Sequence, residues 1–401
     1  MTPRPDRRRR SQGRRPARPR ADKGASVVGQ RFEAEVGPVA HGGHCVARVP
    51  VGDPGDLRVV FVRHALPGER VEIEVTEGAE QDRFWRGDAV RVLSAAPGRV
   101  EAPCRFAGPG LCGGCDFQHV DLATQRALKG SVVTEQLRRL AGLERDVVVE
   151  QMPGDQDGLR WRTRTRFVGL PGGARGMRVH RSHDVVEVDD CLIARPGADV
   201  LPEGPTVVES VTAGGVTHEF VRAADGFWQT HPGAAQVLVT TVLDMLAPQP
   251  GEKVLDLYAG VGLFARFLAD AVGEGARVVA VEGEPTASKL SRDNLAVHRA
   301  ARAVHGDVAA VLREQLDEPF DLVVLDPPRE GAKRAVVEQV VDRAPRAVAY
   351  VACDPAALAR DVALFAERGY RLADLRAFDL FPMTHHVECV ALLTKAGSDL
   401  R

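Results

Sequence analysis

The sequence lacks the features of membrane-inserted, secreted and repetitive proteins. None of its apolar runs is long enough to cross a bilayer, the N-terminus has no apolar signal segment, and no internal repeat is present. A hydrophobic content of 44% and a charged content of 27% are typical of soluble proteins, and 401 residues suit two or three domains. We therefore expect a cytoplasmic monomer that binds no membrane.

The small net charge hides a strong asymmetry. The whole chain carries a formal charge of −2, but residues 1–24 contain ten Arg or Lys and two Asp, so this segment carries +8 and the remainder −10. The segment is rich in Arg and Pro and has no apolar periodicity, which predicts a disordered basic tail. Either the tail is a phosphate-seeking arm, or it is a solvated extension without a specific role.

Two regions of different character follow the tail. Residues 25–97 contain about five short strands of alternating polarity separated by Gly, Pro and Asp, which predicts a small OB-like β-barrel. Residues 98–228 predict a central α+β region, with a helix over 121–142 that could pack on the C-terminal region. In this central region Arg160, Arg162, Arg164 and Arg166 alternate with other residues, which predicts a strand with four guanidinium groups on one face. That face would lie along an RNA backbone or in solvent.

Residues 229–401 predict an α/β domain. Strands and helices alternate, which is typical of a doubly wound, Rossmann-like parallel sheet, and two β segments at the end predict an antiparallel hairpin. The predicted strands lie at 254–258, 277–281, 303–304, 321–325 and 347–352, the helices at 285–298, 333–341 and 356–367, and the hairpin at 371–378 and 386–393.

A glycine-containing loop follows the first strand of this domain. Residues 256–262 read Asp-Leu-Tyr-Ala-Gly-Val-Gly, so Gly260 and Gly262 allow close approach of a ligand to the backbone before a helix begins. Glu282 ends the following strand, where a carboxylate accepts hydrogen bonds from ribose hydroxyls. The loop is neither a GxGxxG motif nor a phosphate-binding loop with Lys-Ser/Thr, which argues against NAD and nucleoside triphosphates.

Two further motifs lie at the expected carboxyl ends of strands. In Asp326-Pro327-Pro328-Arg329 the prolines direct the chain away from the sheet at the edge where such folds bind ligands. Cys353 ends an apolar strand just before a helix, where amide dipoles lower the pKa of a thiol, although the charge of Asp354 opposes this effect.

Cys353 and Glu388 together suit one particular reaction. A thiolate that adds to carbon 6 of uracil makes carbon 5 nucleophilic toward a methyl sulfonium, and a carboxylate must then remove the carbon 5 proton. Cys389, beside Glu388 in an apolar strand, points to the opposite face and is interpreted as structural.

The remaining thiols suggest a metal site. The seven cysteines are an odd number, which argues against a secreted disulfide scaffold. Cys104, Cys112 and Cys115, spaced Cys-x7-Cys-x2-Cys, and the distant Cys191 could ligate either zinc or an iron–sulfur cluster.

Several motifs occur in the order found in one enzyme family. Residues 350–355 (Tyr-Val-Ala-Cys-Asp-Pro), 378–388 (Phe-Asp-Leu-Phe-Pro…His-Val-Glu), 326–331 (Asp-Pro-Pro-Arg-Glu-Gly) and 227–229 (Phe-Trp-Gln) resemble the RNA 5-methyluridine methyltransferases. Residues 68–75 resemble the TRAM domain, a small RNA-binding barrel, and the Cys-Gly-Gly-Cys segment resembles that of members that act on ribosomal RNA. Ala352 and Asp354 replace a frequent Ser and Asn, and the seven-residue spacer after Cys104 is longer than the family's five.

The resemblance implies specific roles for these residues. Cys353 would be the nucleophile and Glu388 the proton acceptor, and the four clustered cysteines would hold a [4Fe-4S] cluster. S-adenosylmethionine would be the methyl donor, and RNA the partner, with ribosomal RNA favoured over transfer RNA. The alternatives are a non-catalytic RNA chaperone, a methyltransferase acting on another base or an amine, and a cluster-dependent radical enzyme. The implied S-adenosylmethionine-binding residues are Gln229, Tyr258, Gly260, Glu282, Asp307 and Asp326.

Overall fold

A computed structural model describes residues 23–52, 55–200 and 202–397. Apart from its last two residues, the predicted basic tail lies outside the described residues. Lys23, at the first described position, bonds to Asp82 of the β-barrel with an Nζ–Oδ1 distance of 2.7 Å.

The N-terminal strands close into the predicted five-stranded barrel. The order around the barrel is β1-β2-β3-β5-β4. Alternate residues of β4, Val71, Ile73 and Val75, are almost fully buried, as a half-buried strand requires. Before β1, Ser26 makes an isolated bridge to Ala79. The strands are β1 (Arg31–Val39), β2 (Cys45–Pro50), β3 (Leu57–Arg63), β4 (Arg70–Glu77) and β5 (Phe84–Ser94).

The central region begins with helix α1 (Leu122–Gln136), which continues as a π-helical turn over Leu137–Ala141. Asp121 caps the helix by accepting a hydrogen bond from the Thr124 amide at 2.9 Å. The turn ends where Gly142 adopts a left-handed conformation with a φ of 66°, so the predicted helix over 121–142 is confirmed. Buried Lys129 bonds to Asp379 of the C-terminal region, with Nζ 2.6 Å from Oδ1, and fixes the helix there.

The rest of the central region is built from short strands. A three-stranded sheet and a separate hairpin follow a two-residue strand, and a 3₁₀ turn lies at Pro171–Gly173. The strands are β6 (Val149–Glu150), β7 (Val168–Gly169), β8 (Arg175–Arg178), β9 (Val185–Glu187), β10 (Thr206–Ala213) and β11 (Val216–Ala223).

The expected strand with four arginines on one face is wrong. Arg160 has a φ of 56°, which a strand cannot contain, and its guanidinium bonds to Asp190. Arg162 donates to the Arg164 carbonyl, and Arg164 donates to the carbonyls of Asp225 and Gly226. Three of the four guanidinium groups are therefore used to hold irregular backbone in place, because backbone carbonyls and a carboxylate lie within their reach.

The C-terminal region forms a doubly wound sheet, as expected. Its strand order is β14-β13-β12-β15-β16-β18-β17-β6, and of the described strands in this sheet β18 alone runs antiparallel to both of its neighbours. Apolar side chains cover both faces of the sheet. The elements are α2 (Ala234–Leu246), β12 (Lys253–Leu257), α3 (Leu263–Val272), β13 (Arg277–Glu282), α4 (Pro285–Leu295), β14 (Ala301–His305), α5 (Val308–Gln315), β15 (Leu322–Leu325), α6 (Lys333–Asp342), β16 (Ala347–Ala352), α7 (Pro355–Ala366), β17 (Tyr370–Phe378) and β18 (Glu388–Lys395).

Two features of this sheet bear on the site. Strand β6 of the central region pairs with β17 and so extends the sheet of the C-terminal region. The carboxyl ends of β12 and β15, which are neighbours, lie where the order of strands reverses, and open α/β sheets bind ligands at such a point. None of the described helices has both the length and the apolar character needed to cross a membrane.

Candidate active site

Strand pairing brings Cys353 and Glu388 together. Ala352 of β16 pairs with Cys389 of β18 in antiparallel register. The next residues outward, Cys353 and Glu388, therefore occupy opposing positions, where β-carbons are about 4.5–5.5 Å apart in such sheets. Cys389 points to the other face and is fully buried in the apolar core, as its structural interpretation requires.

Cys353 opens into a cavity of about 220 Å³ at the junction of three regions. Helix α1 and the segments at 353–355 and 385–386 form part of its wall, together with Arg329. A loop of the β-barrel completes the wall with His41, Gly42 and Gly43. The volume and the mixed polar and apolar lining suit a flat polar ring.

Burial dominates the ionisation of the thiol. Burial, the largest cause, and the neighbouring Glu388 raise the pKa of Cys353 to about 11, while Arg329 acts in the opposite direction. The expected lowering of this pKa at a helix N-terminus is therefore wrong. The first amides of α7 are turned toward another acceptor, since Asp354 Oδ1 caps the helix at 2.7 Å from the Ala357 amide.

Asp354 also joins the C-terminal region to the β-barrel. Its Oδ2 lies 3.0 Å from His41 Nε2 of the barrel loop. These contacts lower the pKa of Asp354 despite its partial burial, so its carboxylate stays charged and fully engaged beside the thiol.

Glu388 is a buried acid without a local cation strong enough to keep it ionised. Burial and the nearby Asp326 raise its pKa well above the usual value, while Arg329 partly offsets them. Arg329 is exposed and donates toward His386 Nε2 at 3.4 Å. Burial lowers the pKa of His386 to about 3, so that imidazole is neutral. A carboxyl group with a raised pKa is a strong proton acceptor once it has been ionised.

The glycine-containing loop is tied to the end of β13. Glu282 Oε2 accepts a hydrogen bond from the Gly260 amide at 2.8 Å, and its Oε1 accepts one from the Glu284 amide at 2.7 Å. Tyr258 and Gly262 adopt left-handed conformations with φ of 63° and 89°, so the chain turns sharply from β12 into α3. Both carboxylate oxygens keep lone pairs that could receive ribose hydroxyls.

Buried carboxyl groups gather at this edge of the sheet. Asp256, which sequence reasoning did not single out, is fully buried, accepts a hydrogen bond from the Ala265 amide at 2.9 Å, and has a pKa raised by burial to about 8. Burial, assisted by Glu282, raises the pKa of Asp326 to about 7. A bound cation such as a sulfonium would favour the ionised forms of Asp256 and Asp326.

The other two predicted cofactor residues lie on two separate segments. Asp307 caps α5 at 2.9 Å from the Ala310 amide, and its charge acts on Tyr258. Gln229 lies partly buried in the segment between β11 and α2.

The four clustered cysteines line one small, largely apolar cavity. The Gly114 amide points at Cys112 Sγ and the Gln118 side chain at Cys115 Sγ, each at 3.4 Å. Amide donors of this kind stabilise thiolates that ligate a metal. Burial raises the pKa of Cys112, Cys115 and Cys191, so these thiols stay protonated unless a metal replaces the proton.

The sulfurs are spread too widely for a single ion as they stand. Two thiolates bound to one zinc ion lie about 3.8 Å apart. Among the described residues, three or more ligand atoms lie within 4.8 Å of one another only in His218, Asp270 and His298, and in no group of cysteines. A wider spacing suits an iron–sulfur cluster, in which each thiolate binds a different iron.

The cysteine loop is clamped to the segment that precedes Glu388. The amides of Asp116 and Phe117 both donate to the Met383 carbonyl, at 2.9 and 3.0 Å. Asp116 Oδ2 accepts hydrogen bonds from the His385 amide at 3.0 Å and from His385 Nδ1 at 2.6 Å. Sequence reasoning missed this clamp, because no spacing relates residues that are 269 positions apart.

Comparisons with known proteins identify the relatives of this chain. The family model for tRNA (uracil-5-)-methyltransferases matches residues 313–396, that for the TRAM domain residues 25–90, and that for the methyltransferase small domain residues 228–350. An uncharacterized RNA methyltransferase of Streptomyces avermitilis is 44% identical over 93% of this chain and 100% of its own length. A 23S rRNA (uracil(1939)-C(5))-methyltransferase of a Shewanella species, RlmD, is 30% identical over 84% of this chain and 91% of its own length.

The chain belongs to the RNA (uracil-5-)-methyltransferase family.

A solved structure supports the fold. The tRNA (uracil-54, C5)-methyltransferase of Pyrococcus abyssi, solved with S-adenosyl-L-homocysteine, aligns over 90% of this chain and 100% of its own with a TM-score of 0.66 at 19% identity. Membership of this family makes the protein an S-adenosylmethionine-dependent enzyme that methylates carbon 5 of uridine in RNA. It argues against the alternatives of a non-catalytic chaperone and a radical enzyme.

The reactivity of Cys353 should follow its raised pKa. Because the thiolate fraction changes about tenfold per pH unit below the pKa, alkylation of Cys353 by iodoacetamide should accelerate about tenfold per unit between about pH 7 and pH 10. At a fixed pH, cationic S-adenosylmethionine should accelerate alkylation relative to neutral S-adenosylhomocysteine, since both fill the same space and only one carries the charge. Mass spectrometry of the peptide containing Cys353 measures both rates, and equal rates with the two ligands would contradict this account.

Proposed function

We propose that Cys353 and Glu388 carry out the methyl transfer through a covalent cysteine–uracil adduct. The observation that carries the proposal is the register of β16 and β18, which sets Cys353, just after β16, opposite Glu388 at the start of β18, with Cys353 open to a cavity. A target uridine must leave its stack to enter such a cavity. The thiolate of Cys353 adds to carbon 6, and the electron pair of the ring double bond moves toward the carbonyl at carbon 4, which gives an enolate.

The enolate then reacts at carbon 5. Carbon 5 takes the methyl group of S-adenosylmethionine, and the electron pair of the broken bond stays on sulfur, which leaves neutral S-adenosylhomocysteine. Glu388 accepts the proton from carbon 5, the ring double bond re-forms, and the Cys353 thiolate departs. Arg329 lies close enough to act on both Cys353 and Glu388, and its charge favours the ionised form of each.

We assign the cofactor to the edge where β12, β13 and β15 end. Glu282 would receive the ribose hydroxyls, Tyr258 and Gly260 would line the loop, and Asp307 would lie near the adenine. Asp326 would face the sulfonium side, and Gln229 would close the site from the segment before α2. The raised pKa values of Asp256 and Asp326 support this assignment, because they mark a site whose negative charge is not neutralised by the protein alone.

We propose ribosomal RNA as the substrate. The Shewanella relative named for 23S rRNA aligns with most of this chain, and the Cys-Gly-Gly-Cys segment resembles that of family members that act on ribosomal RNA. The β-barrel would add contacts to the RNA backbone, and its loop with His41 would reach the nucleotide itself.

We further propose that Cys104, Cys112, Cys115 and Cys191 hold a [4Fe-4S] cluster. Four soft thiol donors, amide groups aimed at two of them and a largely apolar lining fit such a group. Methyl transfer needs no electron, so the bound cluster would supply only structure. By fixing the cysteine loop, the cluster would also hold the segment before Glu388 in place, because Asp116 of that loop bonds to His385.

Two substitutions separate the roles of the active-site pair. Cys353→Ala should abolish methyl transfer while S-adenosylmethionine still binds by calorimetry. Glu388→Gln should lower turnover by about 10²–10⁴-fold and trap the methylated adduct, because the carbon 5 proton is no longer removed. A slower protein–RNA band on a denaturing gel measures the adduct, and Cys389→Ala is the control that alters a neighbouring thiol on the other face. Retained turnover in Cys353→Ala would refute the covalent route.

The RNA class is tested in a strain that lacks the gene. Mass mapping of 5-methyluridine should show its loss from one ribosomal RNA fragment and no change in transfer RNA, with the wild-type gene restoring the modification. Loss confined to transfer RNA would overturn the ribosomal assignment.

The cluster is tested by metal content. Protein purified without oxygen should contain about four iron and four sulfide per chain. Cys115→Ser should lose most of both, whereas Cys45→Ser, which changes a barrel thiol that donates to the Ala65 carbonyl, should keep them. Bound zinc without iron in the wild-type protein would contradict the assignment.

A further inference from the structure

We propose that His218, Asp270 and His298 form a second metal site, which binds a divalent transition-metal ion of the zinc, cobalt or nickel class. Their ligand atoms lie within 4.8 Å of one another. The three residues come from β11, from the last turns of α3 and from the segment just after α4. None of them lines the cavities that hold Cys353 and the four cysteines.

Both imidazoles face the same carboxylate. His218 Nε2 lies 2.5 Å from Asp270 Oδ2, and His298 Nε2 lies 3.6 Å from Asp270 Oδ1. The second distance is too long for a hydrogen bond. Two ligands that are each about 2.1 Å from a tetrahedral zinc ion are about 3.4 Å apart, so this pair already has the separation that a shared ion requires.

His298 provides an independent observation. Its Nε2 is buried and has no hydrogen-bond partner among the described residues, although the Asp270 carboxylate lies only 3.6 Å away. A buried ring nitrogen without a hydrogen-bond partner destabilises the folded protein, and a bond to a metal ion would remove that cost. Asp270 is the more exposed member, which leaves a path by which an ion could enter.

Packing against aromatic side chains fixes the orientation of the His218 imidazole without a bound ion. Its ring packs edge-on against Phe267 with centroids 4.8 Å apart and against Phe220 at 6.4 Å. The two imidazoles are perpendicular, with centroids 6.0 Å apart, so their Nε2 atoms converge without stacking. A fixed ring orientation reduces the conformational entropy lost on binding.

Two acidic side chains and one basic side chain act on the site, which favours the binding of a cation. Glu274 and Asp270 act on His298 as negative groups, and Arg266 acts as a positive one. The Arg266 guanidinium is directed elsewhere, since it donates to the Glu219 carbonyl at 2.5 Å and lies over the Phe220 ring. Nitrogen donors with one carboxylate suit zinc, cobalt and nickel better than magnesium or calcium, which prefer oxygen ligands.

The position of the site indicates its role. The β10–β11 hairpin belongs to the central region, whereas α3 and α4 flank the cofactor loop. Asn294 of α4 already joins them, because it bonds to the amide and carbonyl of Val221 and to the Val261 carbonyl. An ion at His218, Asp270 and His298 would fasten the same junction at a second point, and Asn294 should let variants of the three ligands fold.

The test uses the full-length protein with its cysteine site intact and cobalt(II) chloride as the probe. The wild-type protein should bind one more equivalent of cobalt than His298→Ala or Asp270→Asn, with ligand-field absorption but no added thiolate-to-cobalt charge transfer. That spectrum distinguishes this site from the four cysteines. His183→Ala, which removes an exposed imidazole elsewhere, is the matched control and should behave as the wild type.

A stability measurement separates a metal site from a plain hydrogen-bonded cluster. Zinc chloride should raise the unfolding temperature of the wild-type and His183→Ala proteins and leave that of His298→Ala unchanged. Equal cobalt binding by wild type and His298→Ala would overturn the proposal. So would a variant that unfolds at a lower temperature while zinc leaves the wild type unaffected, because the three residues would then act only through their hydrogen bonds.

Discussion

The antiparallel pairing of β18 with β16 is the constraint on which the active site depends. It is the departure from an otherwise parallel sheet, and it returns the chain so that Glu388 starts a strand directly opposite the end of the strand that carries Cys353. A shift of one residue in this register would exchange Glu388 with Cys389 between the two faces of the sheet. The apolar side chains of β18 that pack on both faces therefore fix the chemistry as well as the fold.

The site also gathers carboxyl groups. Asp256, Glu282, Asp326 and Glu388 lie near one another at the carboxyl edge of the sheet, and the pKa values of Asp256, Asp326 and Glu388 are raised mainly by burial. Burial makes Asp256, Asp326 and Glu388 costly to ionise, and a sulfonium cation bound here, as we propose, would reduce that cost. Methyl transfer removes the positive charge of the sulfonium. The carboxyl groups would therefore attract S-adenosylhomocysteine less strongly than S-adenosylmethionine, which would favour release of the product.

Three regions of the chain build one pocket. The barrel contributes the loop with His41, which bonds to Asp354, and the cysteine loop contributes Asp116, which bonds to His385. Helix α1 contributes Lys129, whose buried ammonium bonds to Asp379 and to the Phe381 carbonyl. Removing one partner of such a buried pair costs about 3–5 kcal/mol. The segment between β17 and β18 is thus held from both neighbouring regions, and the cysteine site influences the pocket without reaching it.

The sequence by itself determined the class of the fold and the positions of the candidate site residues along it. Alternating polarity predicted the barrel, the order of strands and helices predicted the doubly wound sheet, and the placement of Cys353, Glu282 and Asp326 at strand ends followed from local pattern alone. Local pattern works there because burial on two faces and the ends of strands leave a mark within a few residues.

Only the tertiary structure decided which of these residues meet, and in what environment. The opposition of Cys353 to Glu388, the clamp from Asp116 to His385 and the junction of His218 with Asp270 and His298 join distant positions that no spacing relates. Burial reversed the expected pKa of Cys353, and a positive φ at Arg160 broke the expected strand of arginines. These outcomes depend on what packs around each group, and the solvation of a side chain is a property of the folded neighbourhood, which the local sequence does not contain.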